Sequence, residues 1–199
     1  MTPLFSLACL AFLNARTSSS SSSSNGKKMA QCLAATTSKA IWSLPALNHP
    51  DGTAMPADAL SDKLRGKRVA LYFAAGWCPM CTSFEPSLLK FREEASASGR
   101  DVEVIYVPSD RSGDDVVRRT LEMGMMAVPI GEEADAMKAR YKIWAGIESS
   151  RLGSGRRSGV PALVVLDSID GGELAFLPTE SEGDKALGSW PLDDPKGLW

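Results

Sequence analysis

The sequence predicts an α/β fold in which helices flank a central mixed β-sheet. Residues 69–75 (VALYFAA) and 102–107 (VEVIYV) are short, nearly continuous apolar runs, which are typical of strands buried on both faces of a sheet. Between them, residues 79–97 have apolar side chains three or four positions apart, which predicts a helix and therefore a parallel strand–helix–strand crossover. Residues 161–167 (PALVVLD) and 173–178 (ELAFLP) flank an Asp-Gly-Gly turn, which predicts an antiparallel hairpin.

The other segments of the domain carry weaker signals. Residues 40–56 are rich in prolines and turn residues, and they leave room only for a short strand around Ile41 and Trp42. No internal repeat is visible. Residues 58–67 are predicted to form a short helix or turn that ends at Gly66. Helices are predicted over residues 114–123 and 132–144, and at most one short helix near residues 181–187.

The N-terminal segment, residues 1–40, is predicted to be a disordered leader outside the fold. It begins with an apolar run at residues 3–13, which is shorter than the about 20 residues that a membrane-spanning helix needs, so no stable membrane span is expected. Seven consecutive serines follow, and the leader contains no Asp or Glu. We therefore divide the chain into this leader, a domain over residues 41–190 and a C-terminal tail over residues 191–199.

The order of features in the leader indicates a targeting signal. A hydrophobic start followed by a serine-rich, basic, acid-free stretch resembles the two-part leaders of proteins sent to plastids with extra membranes. A mitochondrial presequence and a signal peptide for a secretory lumen fit the same composition. If the segment is not a targeting signal, the cytosol is the expected location.

The composition excludes two broad classes of protein. The 199 residues are 44% hydrophobic and 23% charged, close to the average of globular proteins, so neither whole-chain disorder nor an integral membrane protein is indicated. The net charge is −2, and every acidic residue lies at or after Asp51, so the predicted domain is acidic. Because nucleic-acid binding needs clustered basic residues, no nucleic-acid partner is expected.

Residues 76–86 (GWCPMCTSFEP) contain the motif that carries chemistry. Cys78 and Cys81 lie at the start of the predicted helix, so both sulfurs belong to its first turn and can close a small disulfide ring. The amides and dipole at a helix N-terminus favour an anion, which makes Cys78 the better nucleophile and Cys81 the resolving thiol. Such a pair stores two electrons as thiols and needs no bound cofactor.

Two other uses of the pair were compared with redox exchange. A structural zinc site wants four ligands, but the predicted domain has no third cysteine, and His49 is the only histidine of the chain. A purely structural disulfide across so few residues would close too small a loop to stabilise the fold much. The sequence therefore favours a redox pair and no metal.

Three separated features together resemble the thioredoxin superfamily. They are a strand ending in FAAGWCPMC, a helix with a proline five residues after the second cysteine, and a later strand that reads GVPALVVLD. The segments VIYVPSDRS, AVPI and DGGEL look most like the tryparedoxin and nucleoredoxin branch. The resemblance covers residues 66–177 and implies a thioredoxin-like fold.

The resemblance also implies how a substrate binds. Pro161 matches a cis-proline, which would expose a backbone edge at Gly159 and Val160 beside the sulfurs, where a substrate could pair in strand fashion. Trp77 would add an exposed apolar surface for the same partner. A plain structural role of Trp77 is the alternative.

The expected function is that of a protein-disulfide reductase. Its partners would be proteins with disulfides, including a peroxidase that receives electrons, and an upstream thiol or NADPH-dependent reductase system. The alternatives are a disulfide oxidase or isomerase of an organelle lumen, and a redox-sensing module whose disulfide gates a partner without turnover.

The sequence departs from the family pattern at three places. Tyr72 stands where thioredoxins carry a buried aspartate, and since a phenol is a poor base at neutral pH, the acceptor of the Cys81 proton is left to water or Glu85. Met80 replaces the second proline of the usual Cys-Pro-Pro-Cys pair. Residues 148–159 form a long loop whose arginines would either stabilise the Cys78 thiolate or remain solvated.

Overall fold

The structure is a computed structural model that describes residues 44–168 and 170–191. A five-stranded sheet with the order β3-β2-β1-β4-β5 forms its centre. The strands are β1 (Arg68–Ala74), β2 (Val102–Pro108), β3 (Met126–Ala127), β4 (Ala162–Leu166) and β5 (Glu173–Leu177). Strand β1 pairs in parallel with β2 and antiparallel with β4, while β3 is parallel to β2 and β5 antiparallel to β4. The predicted mixed sheet and thioredoxin-like fold are confirmed.

Helices cover both faces of this sheet. Successive side chains of a strand point to opposite faces, and Tyr72 lies 5.9 Å from Phe84 of α2 whereas Phe73 lies 5.9 Å from Tyr141 of α4, measured between ring centroids. The α-helices are α1 (Ala57–Leu64), α2 (Pro79–Ala97), α3 (Gly113–Met123), α4 (Glu132–Tyr141), α5 (Ser149–Leu152) and α6 (Thr179–Glu182). Short 3₁₀ helices at Gly146–Glu148 and Gly183–Ser189 complete the set in the described residues.

Helix α2 carries the cysteine motif and lies against the centre of the sheet. Cys78 is its N-cap in extended conformation, and Pro79 occupies the first helical position, where a missing amide costs no hydrogen bond. The helix continues through Pro86 as one element. Phe84 and Leu88 are buried on its inner face, so the helix start is held firmly against β1.

Three of the predicted helix boundaries change. The segment predicted over residues 58–67 is helical over Ala57–Leu64, because Arg65 adopts an extended conformation. The helix predicted over residues 132–144 ends at Tyr141, because Lys142 adopts a left-handed conformation (φ 56°) that terminates it. The helix predicted near residues 181–187 is divided into α6 and a 3₁₀ turn at Gly183. Strand β3 was not predicted because two residues are too few to show a strand pattern.

Several predictions fall on residues that lie outside the described part. They include the leader at residues 1–40, the strand around Ile41 and Trp42, and residues 192–199 of the tail. The division into leader, domain and tail stays a prediction. None of the described helices combines the length and apolar character that a membrane crossing requires.

Candidate active site

Cys78 and Cys81 lie together in the first turn of α2, and both are free thiols. The loop before them is tight, because the Cys78 amide donates a hydrogen bond to Ala75 O at 3.0 Å. Cys78 is 7% exposed and Cys81 is completely buried. Both cysteines are therefore buried, and Cys78 keeps a small exposed fraction that Cys81 lacks.

The buried position of Cys81 changes the pKa of its thiol. Burial raises the pKa of the Cys81 thiol well above its ordinary range, and a hydrogen bond with Cys78 raises it further. At neutral pH Cys81 is therefore a protonated thiol. It can attack only after it has lost that proton.

The loop before β4 reaches the sulfur of Cys78. The Val160–Pro161 peptide bond is cis, as the resemblance implied, and the Cys78 thiol donates to Val160 O at 3.7 Å. The Gly159 amide already donates to Glu180 Oε2 at 2.5 Å, so this half of the predicted backbone edge is occupied within the protein. The Val160 carbonyl thus contacts Cys78 and Pro161 follows it directly, as the resemblance implied, and the role of both residues in substrate binding stays a prediction.

Trp77 is fixed in position beside the motif and remains 37% exposed. Its indole Nε1 donates to Ser109 O at 2.9 Å, and the Ser109 hydroxyl donates to Glu148 Oε2 at 2.7 Å. The buried Glu148 in turn pairs with Lys138 at 2.5 Å. A chain of polar contacts therefore fixes the indole in position while the side chain stays partly exposed.

Asp110 is a site residue that the sequence analysis did not select. Its carboxylate accepts hydrogen bonds from Gly76 N at 2.8 Å and from the Tyr106 hydroxyl at 2.6 Å. Burial raises the pKa of Asp110, although these hydrogen bonds work in the opposite direction. The charge of Asp110 also contributes to raising the pKa of Cys81. In the sequence, Asp110 lies in a Ser-Asp-Arg-Ser run directly after β2, and this local pattern does not indicate which residues Asp110 contacts in the folded protein.

Tyr72 and Glu85 form a second polar group behind Cys81. The Tyr72 hydroxyl lies 3.4 Å from Cys81 O and 3.5 Å from Glu85 Oε1, and burial raises the pKa of this phenol. Glu85 is buried and forms an ion pair with Arg119, whose Nε donates to Oε1 at 3.0 Å. Because Arg119 compensates its charge, Glu85 is a weak candidate for the Cys81 proton.

The arginines of the long loop are engaged away from the cysteines. Arg151 pairs with Asp135 and Glu148, and Arg156 donates to Trp144 O at 3.0 Å. Arg157 pairs with Glu173 at 2.9 Å and lies over the ring of Phe176. The described contacts therefore support neither a thiolate-stabilising role nor a purely solvated loop.

Within residues 44–168 and 170–191, no three His, Cys, Asp or Glu side chains are grouped as a metal site would require. The cysteine pair, the cis-proline loop and Asp110 instead form a compact thiol site. Its chemistry is that of two sulfurs with unequal access to solvent.

Comparisons with known proteins agree with this geometry. The sequence model of the family described as thioredoxin-like matches residues 66–172. Nucleoredoxin of Bos taurus is 35% identical over 107 residues, which cover 54% of this chain and 22% of that protein. Tryparedoxin of Trypanosoma brucei brucei is 28% identical over 131 residues, which cover 64% of this chain and 82% of that protein. The chain thus spans less than a quarter of the length of the nucleoredoxin and most of the tryparedoxin.

The structure also superposes on a solved relative. The structure of tryparedoxin I from Leishmania major covers 75% of this chain and 92% of its own, with a TM-score of 0.52 and 25% sequence identity. The likeness therefore extends over three quarters of this chain.

The unequal thiols predict unequal alkylation. In the reduced protein at pH 7, iodoacetamide should modify Cys78 at least about tenfold faster than Cys81, because Cys81 is buried and protonated. Since the pKa of Cys81 is raised, its rate should climb about tenfold per pH unit up to about pH 9 without a plateau. Tandem mass spectrometry of the peptide at residues 69–90 separates the two sites.

The same protein unfolded in urea is the control, and both cysteines should then react at similar rates. A plateau in Cys81 alkylation below about pH 8 would show that the thiol is not held in its protonated form.

Proposed function

Because the chain belongs to the thioredoxin-like family, in its tryparedoxin and nucleoredoxin branch, we propose that it is a protein-disulfide reductase that works through Cys78 and Cys81. The observation that carries the proposal is the pair of unequal thiols beside a cis-proline loop. A structural disulfide or a metal half-site does not require two thiols of unequal burial with a backbone carbonyl against the less buried one. A thiol exchange with another protein does.

The reaction proceeds in two exchanges. The Cys78 thiolate attacks one sulfur of a substrate disulfide, which breaks the substrate S–S bond, forms a mixed disulfide and releases one substrate thiolate that takes up a proton. Cys81 then loses its proton and attacks the Cys78 sulfur, which releases the second substrate thiol. Two electrons pass to the substrate, and the protein is left with a Cys78–Cys81 disulfide.

The surface around Cys78 supports this sequence of steps. Val160 O lies against the attacking sulfur, so a substrate strand that pairs at Val160 brings its own sulfur next to Cys78. The partly exposed side chain of Trp77, which directly precedes Cys78, adds apolar contact area. Both contacts hold the mixed disulfide within reach of Cys81.

Asp110 is the carboxylate that we assign as acceptor of the Cys81 proton. Its pKa is raised by burial, so it is a stronger base than an ordinary aspartate, and its charge acts on Cys81. Glu85 lies one helical turn from Cys81, but Arg119 neutralises it. Asp110 is therefore the better candidate base, although Tyr72 occupies the position of the usual aspartate.

The reduced state has to be restored by a second system. We propose an upstream dithiol or NADPH-dependent reductase as the electron source and a peroxidase among the acceptors, in line with the similarity to tryparedoxin. The acceptor and the reductant are both proteins or thiols, so the site itself needs no bound cofactor.

Single cysteine replacements test the proposed roles. The wild-type protein should reduce insulin when a dithiol is supplied, and both Cys78→Ser and Cys81→Ser should lose at least about 99% of this rate, because each step needs its own sulfur. Cys81→Ser should also accumulate a mixed disulfide with substrate that non-reducing electrophoresis detects, whereas Cys78→Ser should not.

Absence of insulin reduction by the wild-type protein would contradict the enzyme proposal and favour a redox-sensing module. Accumulation of the mixed disulfide in Cys78→Ser instead of Cys81→Ser would reverse the two roles.

Replacement of Asp110 tests the proton transfer, because an electrostatic role and a role as base predict opposite changes in the rate at which Cys81 resolves the mixed disulfide. Loss of the negative charge alone would lower the pKa of Cys81 and speed resolution, whereas loss of a base slows it. We expect Asp110→Asn to resolve the mixed disulfide about tenfold more slowly than the wild type, as measured by acid quench and intact mass.

Asp114→Asn, which changes an exposed carboxylate at the start of α3, is the matched control and should behave as the wild type. Faster resolution in Asp110→Asn would limit Asp110 to an electrostatic effect and remove it as the base.

A further inference from the structure

A cleft of about 500 Å³ opens beside the cysteine motif, between the first turns of α2 and the C-terminal segment. One side is formed by α2 and the other by α6 and the 3₁₀ helix that follows it. The residues that matter for its chemistry are Met80, Ser83, Phe84, Thr179, Glu180 and Asp184. Pro79 and Met80, the two residues between the cysteines, line the cleft, so it opens beside the reactive pair.

The floor of the cleft is apolar. Met80 is 48% exposed although it is a large hydrophobic residue, and Phe84 lies one turn further along α2. A methionine side chain adapts its shape to different apolar partners, which suits a surface that accepts the stem of a long side chain. The position where the related branch usually has a second proline thus contributes a flexible apolar contact here.

The wall opposite is acidic. Among the described residues that line the cleft, the charged side chains are Glu180 and Asp184, and both are acids. Asp184 is exposed and Glu180 is half-buried. The cleft therefore combines an apolar floor with a negative wall.

Glu180 is connected to the loop that faces Cys78. Its Oε2 accepts the Gly159 amide at 2.5 Å and lies 3.4 Å from the Ser158 hydroxyl. A side chain at position 159 would overlap the Glu180 carboxylate, so the glycine is what allows this close approach. Since Gly159 directly precedes Val160, the carboxylate is held one residue away from the carbonyl that contacts the reactive sulfur.

From these contacts we propose that the cleft is a specificity subsite that receives a lysine or arginine side chain of a protein substrate, placed within a few residues of the disulfide to be reduced. The inference rests on the proposed reductase function and adds the class of substrate. A long basic side chain lays its aliphatic stem along Met80 and Phe84 and brings its charge to Glu180 and Asp184. An acidic side chain at the same place meets two negative charges and is rejected.

Matched peptides test this preference with the full chain. Each short peptide carries one cysteine in a disulfide with thionitrobenzoate, and the peptides differ only in a flanking Lys, Ala or Glu. Under single-turnover conditions with reduced protein, the absorbance of released thionitrobenzoate gives a second-order rate constant for each peptide. We expect the Lys peptide to react about fivefold faster than the Glu peptide, the upper range for exposed ion pairs, and the ratio to fall at high salt.

Substitutions of Glu180 and Asp184 test whether the preference for a basic side chain arises in the cleft. Glu180→Gln retains an oxygen that accepts the Gly159 amide, and combined with Asp184→Asn it removes both charges. In this double variant the ratio of Lys to Glu rates should fall to about one. Glu182→Gln, an exposed acid on α6 outside the cleft, is the matched control and should keep the wild-type ratio.

The outcomes separate the subsite from the function on which it rests. Equal rates for the Lys and Glu peptides in the wild type, or a ratio that the double variant leaves unchanged, would overturn the subsite while the reductase proposal stands. If no peptide reacts, both the reductase proposal and the subsite are overturned.

Discussion

The pairing of β1 with a parallel strand on one side and an antiparallel strand on the other brings the whole site together. In register, Ala74 pairs with Pro108 of β2, and Phe73 pairs with Ala162 of β4. The carboxyl ends of β1 and β2 and the amino end of β4 therefore meet at one edge of the sheet. The cysteine motif follows β1, Asp110 follows β2, and the cis-proline loop precedes β4. Each of them therefore lies at this edge because of the strand next to it in the chain.

The same constraint produces the difference between the two sulfurs. Cys78 caps α2 and remains at the edge of the sheet, whereas Cys81 lies one turn of helix further and is covered by the core. Burial keeps Cys81 protonated until it is needed, which prevents it from competing with Cys78 for substrate disulfides. A resolving thiol of this kind requires a base nearby, and the raised pKa and charge of Asp110 fit that role.

The sequence predicted the parts of this arrangement that depend on local pattern and on family resemblance. The apolar runs of β1, β2 and β4 and the spacing in α2 are visible in a single sequence because buried strands and amphipathic helices have their own periods. The cis peptide at Pro161 was predicted only through the resemblance, since no local pattern reports an isomer. Asp110, Arg119 and Glu180 were missed as site residues because their partners lie 21 to 34 positions away in the chain, and only the fold brings those partners close.

The most direct test of the central claim is a redox titration of the Cys78–Cys81 pair in the full chain. The protein is equilibrated with reductant mixtures of known potential, and the oxidised fraction is read from differential alkylation of the peptide at residues 69–90, which excludes Cys9 and Cys32. A reductase predicts a single two-electron transition near about −270 mV, the value of thioredoxin. A midpoint near about −120 mV, the range of a strong disulfide oxidant, would contradict the proposal that this protein delivers electrons to its substrates.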